Sequence, residues 1–296
     1  MNNLSELTVI ILTYKTNLNI LNSCISSIDS KVKIIIVENS SNFIHKNKII
    51  NDHKNVSIFC SGSNLGYGGG NNFGLNLVKT KYALILNPDV ICSTNFFQEI
   101  GKYLSEKNDF SVIGCQYEDN SVYEPAGYFE KKYKISKLTE YNNLDLIKVD
   151  WVVGCSLLIN LKKFSNRNIF DENFFLFFEE FDLCKKLKKN GENVYSSRKL
   201  IINHLGFKST SDFGEDLAHS NKLRSWHFAW SYFYYHKKNE GYFSAFMKSI
   251  GKICRSFLKM IFFSIIFNKN KRINYTYRFL GFVNSLFGRK SFFRIE

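Results

Sequence analysis

Proline is almost absent from this chain, with two among 296 residues, and no internal repeat or low-complexity linker divides it. Flexible or Pro-rich spacer architecture is therefore excluded. Cysteine is no scaffold either. The seven cysteines are scattered, odd in number and never spaced as CxxC, which fits neither a disulfide framework nor a zinc site and suits a reducing cytosol. No basic segment followed by an apolar run opens the sequence, so a secretory leader is not expected. The longest apolar stretch, 257–267, is interrupted by Lys259 and Ser264 and is too short to span a bilayer. Acidic residues are scarce in one region only. Residues 216–296 carry 15 Lys/Arg against 3 Asp/Glu, whereas residues 1–215 carry 25 against 23. The net charge of +14 thus belongs to a local surface, of the kind that meets nucleic acid or an anionic membrane.

What is present is an α/β pattern. Residues 7–13 and 32–37 are β-branched, continuous apolar runs, as buried parallel strands are, with 18–28 as the crossover helix. Strands at 56–60 and 82–87 follow, separated by the loop Asn64–Asn72, rich in Gly and Asn, and a helix over 72–79. This alternation predicts a nucleotide-binding half whose ligand sits at the strand carboxyl ends, where Thr13, Glu38 and Asp89 fall. Further on, 110–116 and 151–160 read as strands, 117–148 as polar and loop-rich, 179–190 as a helix capped by Gly191, and 201–204 as a short strand. From Leu217 the pattern is helical, basic and aromatic.

Four features carry chemistry. The strand ending Asn87-Pro88-Asp89 delivers a carboxylate into the open, suited to Mg²⁺ or Mn²⁺ with substrate phosphates; Asn-Pro-Asp is equally ordinary β-turn chemistry. The preceding loop lets backbone approach a ligand closely, or is a bare turn; it lacks the Lys-Ser/Thr of a P-loop. Glu179, Glu180 and Asp182 follow an aromatic run, where acids gain from a helix dipole or, beside apolar groups, acquire the raised pKa of a general base. His204 ends a short strand and is either structural or, with Asp89, part of a divalent-metal shell.

Taken in order, Val9–Tyr14, Val37–Ser40, Asn64–Gly74, Leu84–Val90, Val149–Gly154, Phe170–Leu183 and His204 resemble the inverting family-two glycosyltransferases, and among them bacterial rhamnosyltransferases of O-antigen and other surface-polysaccharide assembly. The likeness covers residues 7–240. It implies a GT-A fold, with a mixed, mainly parallel sheet over 1–215 and a basic helical appendage over 216–296. It further implies a nucleotide-diphospho-sugar donor, dTDP-rhamnose in the first instance and UDP-galactofuranose or a UDP-hexose as the alternative, and a lipid-linked oligosaccharide acceptor. On this likeness Thr13, Tyr14, Glu38 and Asn39 hold base and ribose, and Asn64, Gly66, Asn71 and Asn87 lie along the diphosphate and sugar. Asp89 and His204 bind the metal. Glu180 is the base, with Glu179 and Asp182 as the other candidates, and Trp151, Gly154 and Ser156 wall the acceptor side. The chain departs from the family pattern at Asn87, Glu38 and Glu180, each of which stands where Asp is usual.

Residues 240–296 interleave cations with Phe and Tyr, as interfacial helices drawn to anionic lipid do. That places the expected protein on the inner face of the cytoplasmic membrane. A helical appendage packing its Phe face on the catalytic domain is the alternative. Single-stranded nucleic acid is a further one, disfavoured because no nucleic-acid motif accompanies the aromatics. A basic nucleic-acid-binding α/β protein and a catalytically inert scaffold are the readings from other classes.

Overall fold

The computed structural model describes residues 3–107, 109–117, 145–205 and 217–294. Its strands are β1 (Leu7–Thr13), β2 (Lys33–Glu38), β3 (Val56–Cys60), β4 (Tyr82–Leu86), β5 (Val90–Cys92), β6 (Phe110–Tyr117), β7 (Leu146–Lys148), β8 (Ser156–Asn160) and β9 (Asn193–His204). They form one sheet in the order β3-β2-β1-β4-β8-β6-β9-β5, with β7 also on β9. The first four pair in parallel, and β6 pairs in parallel with β9. Strands β8, β5 and β7 run the other way. The sheet is therefore mixed but mainly parallel, as expected.

Two compact units make up the chain. One comprises Met1–Leu65, Gly69–Phe170 and Glu180–Ser211; the other comprises Gly66–Gly68, Asp171–Glu179 and Asp212–Glu296. The expected boundary at 215/216 and most of the polar stretch 117–148 lie outside the described residues. In the first unit, Val9, Ile11, Ile34, Ile36, Leu84 and Leu86 pack beneath helices α1 (Leu18–Ser26) and α4 (Phe96–Glu106). A short helix, α2 (Lys46–Asp52), precedes β3. The seven cysteines are free.

The Gly/Asn run differs from expectation: it is helix, not loop, with α3 spanning Gly66–Leu77. Glycine is a poor helix former, but here tertiary packing overrides propensity. A Cβ on Gly70 would stand 2.4 Å from Leu12 Cδ1. The glycines thus let the helix lie directly against β1. Strand β9 is also much longer than the expected 201–204, its polar first half paired with β6 across register shifts.

In the second unit, α6 (Leu217–Glu240), α7 (Tyr242–Ile265) and α8 (Lys269–Leu286) enclose a small core of Ala229, Phe233, Ala245 and Phe282. The segment Asp171–Glu179 belongs to this unit. Ser231 Oγ donates to Leu176 O at 2.9 Å, and the ring of Phe178 meets those of Phe228, Tyr232 and Tyr235. This packing holds Phe177 and Phe178 at φ 71° and 73°, a left-handed backbone that costs each about 1–2 kcal/mol. Gly66 explains itself here. Its φ is +78°, and a Cβ would stand 2.3 Å from Phe175 O. Tyr67 N donates to that same carbonyl at 2.9 Å.

Candidate active site

At the carboxyl ends of β1 and β2 the buried Glu38 carboxylate is held by three donors. Thr13 Oγ1 reaches Oε2 at 2.8 Å, while Ser40 Oγ at 2.8 Å and Lys15 N at 3.4 Å reach Oε1. Asn39 ties this edge to the chain that follows β3. Its amide donates to Asn64 Oδ1 at 3.1 Å, and its own Oδ1 accepts from Leu65 N at 2.9 Å and Ser61 Oγ at 3.1 Å. Tyr14 is half-buried beside Lys15, whose Nζ stands 5.7 Å from the ring centroid. Asn71 is fully buried in α3. The neighbouring Asn72 exchanges two hydrogen bonds with the Phe170 backbone, at 3.0 and 3.1 Å.

Asp89 sits on a turn. Val90 N donates to Asn87 O at 3.2 Å, so residues 87–90 reverse the chain between β4 and β5. The antiparallel pairing of β5 with β9 sets Val90 opposite His204. That register brings His204 Nε2 to 3.3 Å from Asp89 Oδ1, with the Asp89 side chain only 1% exposed and that of His204 24%. Behind them, burial holds the Cys24 thiol far above its ordinary pKa, with Cys92 and Asp89 adding to the effect. The thiols there are neutral.

The same turn leads to the acids. Asn87 N donates to Cys155 O at 2.9 Å, and the N–H of the adjacent Gly154 donates to the Glu180 carboxylate. Glu180 opens α5 (Glu179–Lys189) together with Glu179. Burial pushes the Glu180 carboxyl up to about 7, against hydrogen bonds from its own N–H and that of Gly154 that favour the charged form. Glu179 and Asp182 are more deeply buried. Trp151 stacks on Phe181, centroids 4.1 Å apart, next in the chain to Glu180, and Ser156 Oγ on β8 lies 2.7 Å from Cys115 Sγ on β6.

His204 therefore contacts Asp89, and the turn 87–89 carries the chain back to Asn87, whose N–H bonds Cys155 O. The adjacent Gly154 N–H bonds Glu180, so three contacts and two short stretches of chain connect the pair to the acid. Thr13, Glu38, Asn39 and Asn64 form a second cluster at the β1–β2 edge. Ser40 and Lys15, which complete the Glu38 shell, went unread in the sequence, although the Glu-Asn-Ser tripeptide contained the signal.

A divalent ion fits Asp89 and His204 by donor chemistry. A buried carboxylate and an imidazole nitrogen within one contact suit Mn²⁺, and Mg²⁺ less well because it prefers oxygen. Among the described residues no group of three or more His, Cys, Asp or Glu is arranged to hold a metal. An ion here would draw its remaining ligands from elsewhere, as substrate phosphates supply them.

Comparison with known proteins gives the context. The family model described as "Glycosyl transferase family 2" matches residues 8–166. The chain is 25% identical over 201 residues to a low-salt glycan biosynthesis hexosyltransferase, Agl10, of Haloferax volcanii, covering 64% of each chain. It is 28% identical over 189 residues to rhamnosyltransferase WbbL of Escherichia coli, covering 56% of this chain and 70% of that one. To the dTDP-rhamnosyl transferase RfbF of Shigella flexneri it is 22% identical over 230 residues, covering 75% and 77%. Among solved structures, a mannosyltransferase from Pyrobaculum calidifontis, in complex with GDP-Man and Mn²⁺, superposes with a TM-score of 0.54 at 12% identity, covering 96% of this chain and 88% of that one. GalNAc-T7 with UDP, GalNAc and Mn²⁺ gives the same TM-score and identity, covering 76% of this chain and half of that one. These likenesses establish the fold, which is GT-A.

Proposed function

The chain belongs to glycosyl transferase family 2, and from that premise we propose that it is an inverting transferase moving a sugar, rhamnose from dTDP-rhamnose, onto a lipid-linked oligosaccharide in surface-polysaccharide assembly. The observation that carries the reading is the path from His204 and Asp89 through Asn87 and Cys155 to Gly154 and Glu180. It links a metal-suited pair to a carboxylate tuned for proton transfer.

Glu180 is the general base. With its carboxyl up at about 7, it is basic enough to take a proton from an acceptor hydroxyl and still be ionised in much of the protein near neutral pH. The hydroxyl oxygen attacks the anomeric carbon from the face opposite the leaving group, and the bond to the diphosphate oxygen breaks with its electron pair. Glu180 keeps the proton, and the anomeric centre is inverted. A divalent ion on Asp89 and His204, when bound, neutralises charge on the diphosphate. Thr13 and Glu38 receive the nucleoside, Asn39 and Asn64 fix that edge, and Trp151 with Gly154 and Ser156 forms the acceptor side. Gly66, Asn71 and Asn87 line the diphosphate and sugar. The last 57 residues, basic and aromatic, hold the enzyme to the inner face of the cytoplasmic membrane, where a lipid-linked acceptor lies.

A UDP-hexose donor is the second reading, favoured by the hexosyltransferase name of the Haloferax relative. Calorimetric titration of dTDP-rhamnose, UDP-galactofuranose and UDP-hexoses, with and without Mn²⁺, tests the proposal. Tight, Mn²⁺-dependent binding of one donor is expected, and binding of none would overturn it.

A further inference from the structure

Helices α7 and α8 form a hairpin whose surface is unusual in two respects. Between residues 241 and 295 there is no Asp or Glu, while there are 11 Lys or Arg. At the turn, Asn268 N donates to Phe263 O at 3.0 Å and Ile266 N to Phe262 O at 3.1 Å, which closes α7 in the manner that normally uses glycine in the left-handed position. Here that position is Phe267, at φ 55° and 92% exposed. A large apolar side chain is thus held in a strained backbone and in water at once. Phe262, Ile265 and Ile266 beside it are exposed as well.

A cavity of about 270 Å³ opens between the two helices, lined by Lys259, Phe263, Lys271, Asn274, Tyr275 and Arg278. Lys259 Nζ donates to Tyr275 Oη at 3.0 Å, and Lys271 Nζ stands 5.3 Å from the Phe263 ring. Arg278 Nε is enclosed with no acceptor among the described residues. The Tyr275 phenol is held below its ordinary pKa, first by the hydrogen bond from Lys259 and then by the charges of Lys259, Arg278 and Arg255, with desolvation opposing them. The cavity is therefore a field of positive charge without a counter-charge from either helix. It is slightly smaller than sites for drug-sized ligands, which begin near about 300 Å³.

We propose that this cavity binds the phosphate group of an anionic lipid, with Lys259, Lys271 and Arg278 as its ligands and the Phe267 turn entering the acyl boundary above it. Three cations and an amide line a space with ample room for a phosphate, and arginine and lysine are the donors such a group takes. The exposed apolar turn one helical step from Phe263 argues for a phosphate that arrives on a lipid, because a soluble phosphate has no use for it. A second copy of this chain is a poor occupant, since it would bring the same uncompensated cations. The inference deepens the membrane-surface part of the proposed function and rests on it for the presence of a bilayer.

Sedimentation of the full chain with phosphatidylcholine vesicles, with and without phosphatidylglycerol, provides the test. The triple variant K259Q/K271Q/R278Q is expected to lose about 100-fold in affinity for the anionic vesicles, because it removes the charge-assisted hydrogen bonds to the phosphate as well as the general attraction to the surface. The variant K269Q/R272Q/K290Q removes the same charge from exposed positions outside the cavity, and is expected to lose at least tenfold less. Equal losses would reduce the effect to general electrostatics and overturn the site. Arg278→Lys retains the charge and is expected to keep binding within about fivefold; a loss as large as that of the triple variant would mark a packing role and overturn it too. Titration with inorganic phosphate and with glycerol 3-phosphate separates the sources. Saturable binding of either, lost in the triple variant, together with indifference to vesicles would overturn the lipid assignment. Nucleotide-sugar binding by the same variants is expected to be unchanged. Failure of the wild type to bind any nucleotide sugar would sink the transferase reading alone and leave the vesicle result standing.

Discussion

Glu38 and Asp89 are buried carboxylates, each facing named partners at 2.8 to 3.4 Å, whereas Lys269, Lys271 and Arg272 stand in water on helices that carry no acid at all. The first unit keeps these two carboxylates inside, where low dielectric sharpens their effect and strand register fixes their position. The second leaves these cations and several large apolar side chains outside, where they can act only on something that approaches. On the proposed function, the difference separates a region that places reacting groups from one that meets a surface.

Several variants would break or sharpen that contrast. The largest expected effect is that of Glu180→Gln, with transfer falling by up to about 10⁴-fold while donor binding measured by calorimetry persists. Unaltered turnover would move the base to Glu179 or Asp182. Asp89→Asn should lower transfer by about 10²–10³-fold and abolish any stimulation by Mn²⁺; a variant as metal-responsive as the wild type would remove Asp89 from the ion. In the second unit Gly66→Ala meets both a left-handed backbone and the Phe175 carbonyl, so urea denaturation should show a loss of about 2–4 kcal/mol.

The pH dependence follows from Glu180, whose carboxyl is raised from 4.5 to about 7. A base must be ionised, so kcat/KM should climb with pH and level off above about 7. The folded protein binds this proton more tightly than the unfolded chain does. Its contribution to stability is therefore unfavourable at neutral pH and disappears as pH falls through 7 toward 4.5. The Gln variant should show a flatter stability profile over that window, a difference of about 1–2 kcal/mol by thermal unfolding after allowance for partial exposure.

Smallest of all, Phe267→Gly should raise stability by about 1 kcal/mol, because the left-handed position suits glycine and the exposed ring has little packing to lose. The same change should weaken vesicle binding. A variant that gains stability and keeps full membrane affinity would show the exposed ring to be incidental.

Much of this was readable from residue order alone. Strands β1 to β4 announce themselves because a buried parallel strand needs apolar side chains on both faces, as Val9–Leu12 and Ile34–Val37 supply. Asp89, Glu180 and His204 were legible as acids and an imidazole placed where elements end. The contact between Asp89 and His204 was not, since it depends on the pairing of β5, a strand of three residues, with the end of β9. Nor could the helical state of residues 66–71 be read, although 72–79 was, because four glycines in those six residues argue against helix until β1 lies against them. The left-handed pair Phe177 and Phe178 was likewise invisible, as aromatic residues carry no local preference for that backbone.

That three-residue strand has a kinetic meaning. Val90 and His204 are distant in the chain, so their ladder closes a long loop and belongs among the late events of folding. It is also the edge of the sheet, where amides exchange with solvent soonest. The imidazole meets its carboxylate only where this ladder is paired, and fraying of this edge would part the two side chains while the remaining strands stay paired.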